Sequence, residues 1–364
     1  MKKIMILANN DVGLYKFRKE LIEKLLEQYE VHIALPYGAF VENLIKKGCI
    51  FHAIEFSSRG RNPFHDIKLL NNYKLLIQQI EPDVVLTYTI KPNIYGGIAC
   101  SFLGIPYITN ITGLGTAVQN RGVLSIITTT LYRFSLRKAK KVFFQNEANL
   151  NFMKKRNIVK DNYDLLPGSG VDLEQYIPID YPKGDTVNFI FVARVMKEKG
   201  IDQYLDAAEY IGNKYANTKF HIYGSCSDDY RSVLEEKSSE GRVVYHGAVK
   251  DMIPVYGMSS CTIHPTYYPE GMSNVLLESC ACARPIITTG IPGCKEIVDD
   301  GMNGFVCKPQ NTSDLIEKIE RFLAMSLADK EKMGLYGREK VQKYFDRNIV
   351  IEKYMKEILN CGWI

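Results

Sequence analysis

The chain has 364 residues, 46% of them apolar and 24% charged, with a formal net charge of +5. That balance excludes disordered, collagen-like and membrane-embedded chains, and the length exceeds what one hydrophobic core usually supports, so two domains are expected. The nine cysteines are scattered without a CxxC pair, which reads as reduced thiols, with Cys280 and Cys282 as helix packing rather than metal ligands.

The first element is a strand, "KIMILA". The apolar run in "MKKIMILANND" is too short for a signal peptide or a spanning helix, and no later run reaches the roughly 18 apolar residues that a membrane helix needs. A cytoplasmic protein is expected, with room for a place at the inner face of the cell membrane. Further short β-rich runs follow: "VHIALP", "FHAIEF", "DVVLTYT", "YITNI" and "KVFFQN". Segments with helical periodicity separate them, such as "YKFRKELIEKLLEQ" and "HDIKLLNNYKLLIQQI". Gly and Pro then cluster in "DLLPGSGVDLEQYIP". The alternation restarts with "VNFIFVAR", "KFHIYG", "RVVYHG", "CTIHPT", "PIITTG" and "GFVCKP". The expected fold class is α/β, with two Rossmann-like doubly wound domains facing each other across a cleft. One spans residues 1–166, the other 167–344, and a helix over 345–364 is expected to pack back on the first.

Charge divides with the domains. Residues 1–166 carry 23 Lys and Arg against 13 Asp and Glu, whereas residues 167–364 carry 23 against 28. No acid occurs between Val84 and Asn146, while Lys91, Arg121, Arg133, Arg137, Lys138, Lys140 and Lys141 all fall there. A stretch of one sign attracts phosphate or an anionic lipid surface, although an ordinary basic helix face would read the same. Nucleic acid is not expected as a partner, because no finger, homeodomain or RNA-binding aromatic signature is present.

Open α/β sheets bind ligands at the carboxyl ends of their strands, so the loops there are the places to look for chemistry. "FVARVMKEKG" puts Arg194 after a strand and Lys199 and Gly200 before a helix, where two cations and a helix amino terminus could hold a diphosphate. "PEGMSNVLLES" sets Glu270 and Glu278 eight positions apart, slightly over two helical turns, around Gly271, Met272, Ser273 and Asn274. Two carboxylates at one end of a helix suit a polyhydroxyl ligand, although a lone pair would more simply be a solvated helix start. "NDVGLYKFR", "GSGVD" and "TTGIPGCKEIVDDGMNGFV" supply glycine turns, Gly13 among them, that let backbone approach a ligand closely.

Together these motifs resemble the family-4 glycosyltransferases of the two-Rossmann-domain type, over nearly the whole chain and most densely over 166–310. The resemblance implies transfer of a sugar from a nucleotide-diphospho-sugar donor with retention of configuration and without a metal or other cofactor. It implies that Arg194 and Lys199 hold the pyrophosphate and that Glu278 accepts from the ribose hydroxyls. Glu270, with the backbone of Gly271 to Asn274, would grip the donor sugar, and Gly13 would face it from the first domain. Two departures stand out. No histidine lies between His65 and His221, where many relatives have one near the sugar, leaving Asn110 and Thr112 as polar substitutes. Ser273 stands where a proline is common. The remaining histidines, His264 included, are expected to be structural.

The stretches "IEFSSRGRNPF", "YTIKPNIYGG" and "NITGLGTAVQNRG" are similar to a branch that extends bacterial surface glycans on undecaprenyl diphosphate. By that likeness the acceptor is a lipid-diphosphate-linked saccharide met by Arg59, Arg61, Lys91, Asn93, Thr112 and Arg121 at an anionic membrane surface, and the donor is UDP-N-acetylhexosamine. A nucleotide-sugar epimerase, an inverting transferase and a non-catalytic scaffold of glycan assembly remain open alternatives.

Overall fold

The computed structural model describes residues 1–54, 63–115, 118, 122–226 and 228–361. The chain forms two compact units, one of Met1–Gly170 with Asn348–Ile364, the other Val171–Arg347. The interior division thus falls at Gly170 rather than at residue 166, and the returning segment starts at Asn348 rather than at 345.

The first unit begins β1 (Lys3–Leu7), α1 (Asp11–Leu26), β2 (Glu30–Leu35), α2 (Val41–Lys46), β3 (Ile50–Ala53), α3 (Pro63–Ile80) and β4 (Val84–Tyr88). It continues with α4 (Gly97–Leu103), β5 (Tyr107–Ile111), α5 (Val123–Leu136), β6 (Lys141–Phe144), α6 (Glu147–Lys155) and β7 (Tyr163–Leu165). The seven strands pair in parallel in the order β3-β2-β1-β4-β5-β6-β7. Every residue of β4 and β5 is buried, as expected of parallel strands covered by helices on both faces. The two-residue period of β1 sorts its side chains: Met5 and Leu7 join a core with α3, α4, α5 and α6, while Ile4 and Ile6 join another with α1 and α2. Asn10 starts α1 by accepting from the amide of Gly13 at 2.7 Å, and Asn146 starts α6 in the same way.

The second unit comprises β8 (Val187–Val192), α7 (Ile201–Lys214), β9 (Thr218–Tyr223), α8 (Asp228–Ser239), β10 (Val244–Tyr245), α9 (Ile253–Met258) and β11 (Cys261–His264). Then come α10 (Asn274–Ala281), β12 (Ile286–Thr289), β13 (Gly304–Cys307), α11 (Thr312–Leu323) and α12 (Leu327–Tyr344). Its six strands run in the order β10-β9-β8-β11-β12-β13, so the order reverses between β8 and β11. That is the switch point where open α/β sheets leave a crevice beyond their strand ends. The last helix, α13 (Arg347–Leu359), lays Val350, Tyr354 and Ile358 into the core beneath α1 and α2 of the first unit. All nine cysteines are unbridged and eight are buried. Among the described residues no helix is long and apolar enough to cross a membrane.

Candidate active site

Three loops meet beyond the carboxyl ends of β8, β11 and β12, and glycines set how closely they approach. After β8 a short 3₁₀ turn, Lys197–Lys199, leads into α7 through Gly200, whose φ of +79° is left-handed. A Cβ there would lie 2.2 Å from the carbonyl oxygen of Pro265, so only glycine lets the β11 loop sit against the start of α7. Tyr267 then donates its amide to the carbonyl of Glu198 at 2.9 Å. After β12, Gly293 has φ +89° and would carry its Cβ 2.7 Å from Cβ of Glu270, while its carbonyl accepts from the amide of Ser273 at 2.9 Å.

This stitching brings Lys199 and Glu270 into an ion pair, 71 residues apart in sequence. Both are largely buried, with side chains 12% and 15% exposed. Lys199 Nζ also sits 4.9 Å from the ring centroid of Tyr268. His264, at the end of β11, places Nε2 3.8 Å from Glu270 Oε1, beyond hydrogen-bond distance, and neither ring nitrogen has a hydrogen-bond partner among the described residues. Burial pushes the His264 imidazole below its ordinary pKa although Glu270 pulls the other way. Burial works to raise the Glu270 carboxyl too, but His264 and Lys199 outweigh it and hold the pKa at about 2. The carboxylate is therefore ionised, and its charge is matched by the lysine.

Glu270 lies in the loop four residues before α10, whereas Glu278 lies in the second turn of that helix, so the two leave the chain in different settings. Tyr256 donates its hydroxyl to Glu278 Oε2 at 3.0 Å, and Glu278 together with burial pushes up the Tyr176 phenol. Gly271, Met272 and Ser273 are buried in the turn before α10, and Ser273 begins the helix without a side-chain cap. Asn274 is half-buried, and its Oδ1 has no hydrogen-bond partner among the described residues. Arg194, just past β8, is exposed and makes no ion pair among the described residues. The site thus offers one open cation, one cation held by a carboxylate, and two helix amino termini, a combination able to receive a polyanion joined to a hydroxyl-bearing group. Among the described residues no group of three or more His, Cys, Asp or Glu side chains is placed to hold a metal ion.

The residues expected in the first unit are not gathered in the same way. Gly13 lies in the first turn of α1, where its amide binds Asn10. Lys91 is paired with Asp66 at 2.8 Å, and Tyr95 binds the same carboxylate. Asn93 is a correction: it is only 1% exposed and donates to the carbonyl of Asn110 at 2.8 Å, so it faces the interior and not an acceptor. Asn110 is equally interior, donating to the hydroxyl of Tyr354 at 2.7 Å, and cannot stand in for a sugar-facing histidine. Thr112 is half-buried past the end of β5. Arg59, Arg61 and Arg121 lie outside the described residues. Sequence reading passed over Tyr256, Tyr176 and Tyr268 and set His264 aside. Only the position of His264, on a strand end six residues before Glu270, hinted at the site.

Known proteins with this architecture agree on its nature. The family described as "Glycosyl transferases group 1" matches residues 186–325, and that described as "Glycosyl transferase 4-like" matches residues 3–146. The N,N'-diacetylbacillosaminyl-diphospho-undecaprenol alpha-1,3-N-acetylgalactosaminyltransferase of Campylobacter jejuni is 24% identical, with 97% of each chain aligned. The capsular polysaccharide biosynthesis glycosyltransferase CapM of Staphylococcus aureus is 25% identical over 96% of this chain and 94% of its own. Among solved structures, HepE of Anabaena in complex with UDP-glucose superposes with a TM-score of 0.82 at 17% identity, covering both chains fully. The two Rossmann-like units are those of the GT-B fold. Matched by one family description in each half, the chain belongs to the group 1, family-4-like glycosyltransferases.

Proposed function

We propose that this glycosyltransferase moves a hexose derivative, an N-acetylhexosamine carried by UDP, onto a lipid-diphosphate-linked saccharide during assembly of a bacterial surface glycan, with retention of anomeric configuration and without a metal. The observation that carries the donor half is the buried pairing of Lys199 with Glu270 at the strand-order reversal, with the exposed Arg194 following β8 at the same reversal. Breaking a glycosyl–phosphate bond leaves charge on the departing diphosphate. Fixed cations and the amino terminus of α7, a 14-residue helix, stabilise that charge where another enzyme would use a metal ion. In this reading Arg194 and Lys199 bind the diphosphate, Glu278 accepts from the ribose, and Glu270 with the Gly271 to Asn274 backbone orients the sugar. The acceptor half is supported by the Campylobacter enzyme, aligned from end to end, whose name specifies a diphospho-undecaprenol-linked sugar. Lys91 and Thr112 are the described residues left for that role, and an acceptor of this kind places the enzyme at the inner face of the cell membrane.

The test offers UDP- and GDP-linked sugars with a short-chain lipid-diphosphate saccharide, reads products by mass spectrometry and assigns the new anomeric centre by NMR. A UDP-N-acetylhexosamine product of retained configuration, formed undiminished in EDTA, is expected. Transfer only from GDP-sugars, inverted product, or loss of activity in EDTA would each refute the corresponding part.

A further inference from the structure

The helices on the two faces of the first sheet differ in what they turn outward. On one face α3, α4 and α5 pack in sequence against one another and share a core with Met5, Val85 and Val142. Their outer side is apolar. Along α5, Val123, Ile126, Ile127 and Phe134 recur at helical spacing with Thr130, and Val123, Ile126 and Phe134 are 74%, 67% and 63% exposed. Phe102 on α4 is 72% exposed, and Phe64 and Leu75 of α3 stand out equally far. The opposite side of α5 is the buried one, with Thr128, Tyr132, Ser135 and Leu136, so the apolar outer residues are not the ones that hold the helix to the fold.

The charge on that outer side has one sign. α4 and α5 contain no acid, and the acid of α3, Asp66, is bound by both Lys91 and Tyr95. Arg133, Arg137 and Lys138 are exposed at the end of α5, and among the described residues Arg133 and Lys138 bind backbone carbonyls and pair with no acid. Lys74 sits with its ammonium 5.3 Å from the ring centroid of the exposed Phe102. Lys141, although part of the same basic run in sequence, pairs with Glu357 and does not belong to this surface. The helices on the other face differ: acids and bases are mixed on α1, where Glu20, Glu23 and the capping Glu27 pair with Lys19, Lys47 and Lys24, and Val12 and Ile45 are the most exposed large apolar residues of α1 and α2.

We propose that the outer face of α3, α4 and α5 docks on an anionic lipid bilayer, with Ile126, Ile127, Phe134 and Phe102 entering the headgroup boundary and Arg133, Arg137 and Lys138 meeting lipid phosphates. Large exposed apolar side chains ringed by exposed cations fit a surface that is negative outside and apolar within. A second copy of the same face would set cation against cation, which disfavours a homodimer. The inference deepens the lipid-linked-acceptor reading and rests on it for the choice of lipid over an acidic protein.

The test is co-sedimentation of the full chain with phosphatidylglycerol-containing vesicles and with pure phosphatidylcholine vesicles across a salt series. Binding to the anionic vesicles that fades as salt rises is expected. Ile126→Ser with Phe134→Ser should weaken it at least about tenfold, Arg137→Gln with Lys138→Gln should remove most of its salt dependence, and Leu335→Ser with Tyr344→Ser on the second unit should change nothing. Thermal melts establish that each variant is folded. Wild type that ignores anionic vesicles at low salt, or an apolar variant that binds as well as wild type, overturns the proposal. So does a concentration-dependent dimer, abolished by the apolar variant, without vesicle binding. Transfer to a short water-soluble acceptor separates the two readings. Vesicle binding without transfer sinks the acceptor assignment and leaves the surface standing, whereas transfer without vesicle binding does the opposite.

Discussion

Glu270 is already paired with Lys199, so under the proposed donor role a diphosphate arriving there must share that ammonium with the carboxylate. Lys199→Ala therefore removes a contact that strengthens as the leaving group gains charge, and turnover should fall by roughly a hundredfold or more. The two glutamates should separate kinetically. Glu270→Ala should depress kcat, while Glu278→Ala should mainly raise KM for the donor, because that carboxylate sits away from the lysine and accepts from Tyr256. An acceptor-only KM effect in both would remove the helix from the donor site. The pair also makes a stability prediction. Glu270 is held at about 2 against an ordinary 4.5, so it stabilises the fold above pH 4.5, and that contribution is lost as pH falls from 4.5 towards 2. Wild type should melt higher than Glu270→Gln at neutral pH, and the gap should close over that acid range. Lys199, Glu270 and Arg194 could be nominated because strand ends and glycine turns mark them in sequence, whereas the pairing of Lys199 with Glu270 could not be read there. Asn93 and Asn110 were misjudged because the parallel strands that lead to them are buried on both faces, and such a run does not say which polar side chain at its end looks outward.

At the scale of elements, every strand but one was readable because β-rich runs bounded by glycine and proline are short and repetitive. The minor strand β7 was missed, with only three residues, all half-buried, and no alternation to announce it. The start of α10 falls at Asn274, just after Ser273, whose side chain makes no capping hydrogen bond. The approach of the loops was not readable, because it depends on which carbonyl faces which glycine. Gly200 makes the dependence testable. Gly200→Ala adds a methyl group onto the Pro265 carbonyl and asks alanine for a left-handed φ, a strain of about 1–3 kcal/mol from the backbone alone. A drop of several degrees in the melting of the second unit is expected, together with lost donor binding. Gly212→Ala, exposed to open space in α7, should leave both unchanged or slightly improved. Equal losses in the two variants would mean that the β11 loop is not held by this contact.

At the scale of the molecule, the opposite charges of the two halves were visible in composition, and a C-terminal helix returning to the first domain was expected, but which of its side chains enter the core was not, because the sequence of α13 alone does not reveal what they meet. Tyr354 is fully buried there, its ring 4.8 Å from that of Phe143 and its hydroxyl accepting from Asn110. Calorimetry on a chain ending at Arg347 should therefore show a normal melt for residues 171–347 and a lowered or absent one for residues 1–170. A loss confined to the second unit would contradict the division. The same arrangement imposes an order on biosynthesis. Residues 1–170 emerge first, yet the side chains that seal their interior emerge after the whole of the second unit has been made. During that interval the cavity awaiting Tyr354 is open, lined by Tyr88, Phe143 and Asn110, so the half of the enzyme translated first is the half completed last. Nascent chains of this protein are then most dependent on chaperones in mid-synthesis, and a ribosome stalled late in the message leaves one finished unit tethered to one that is still unsealed.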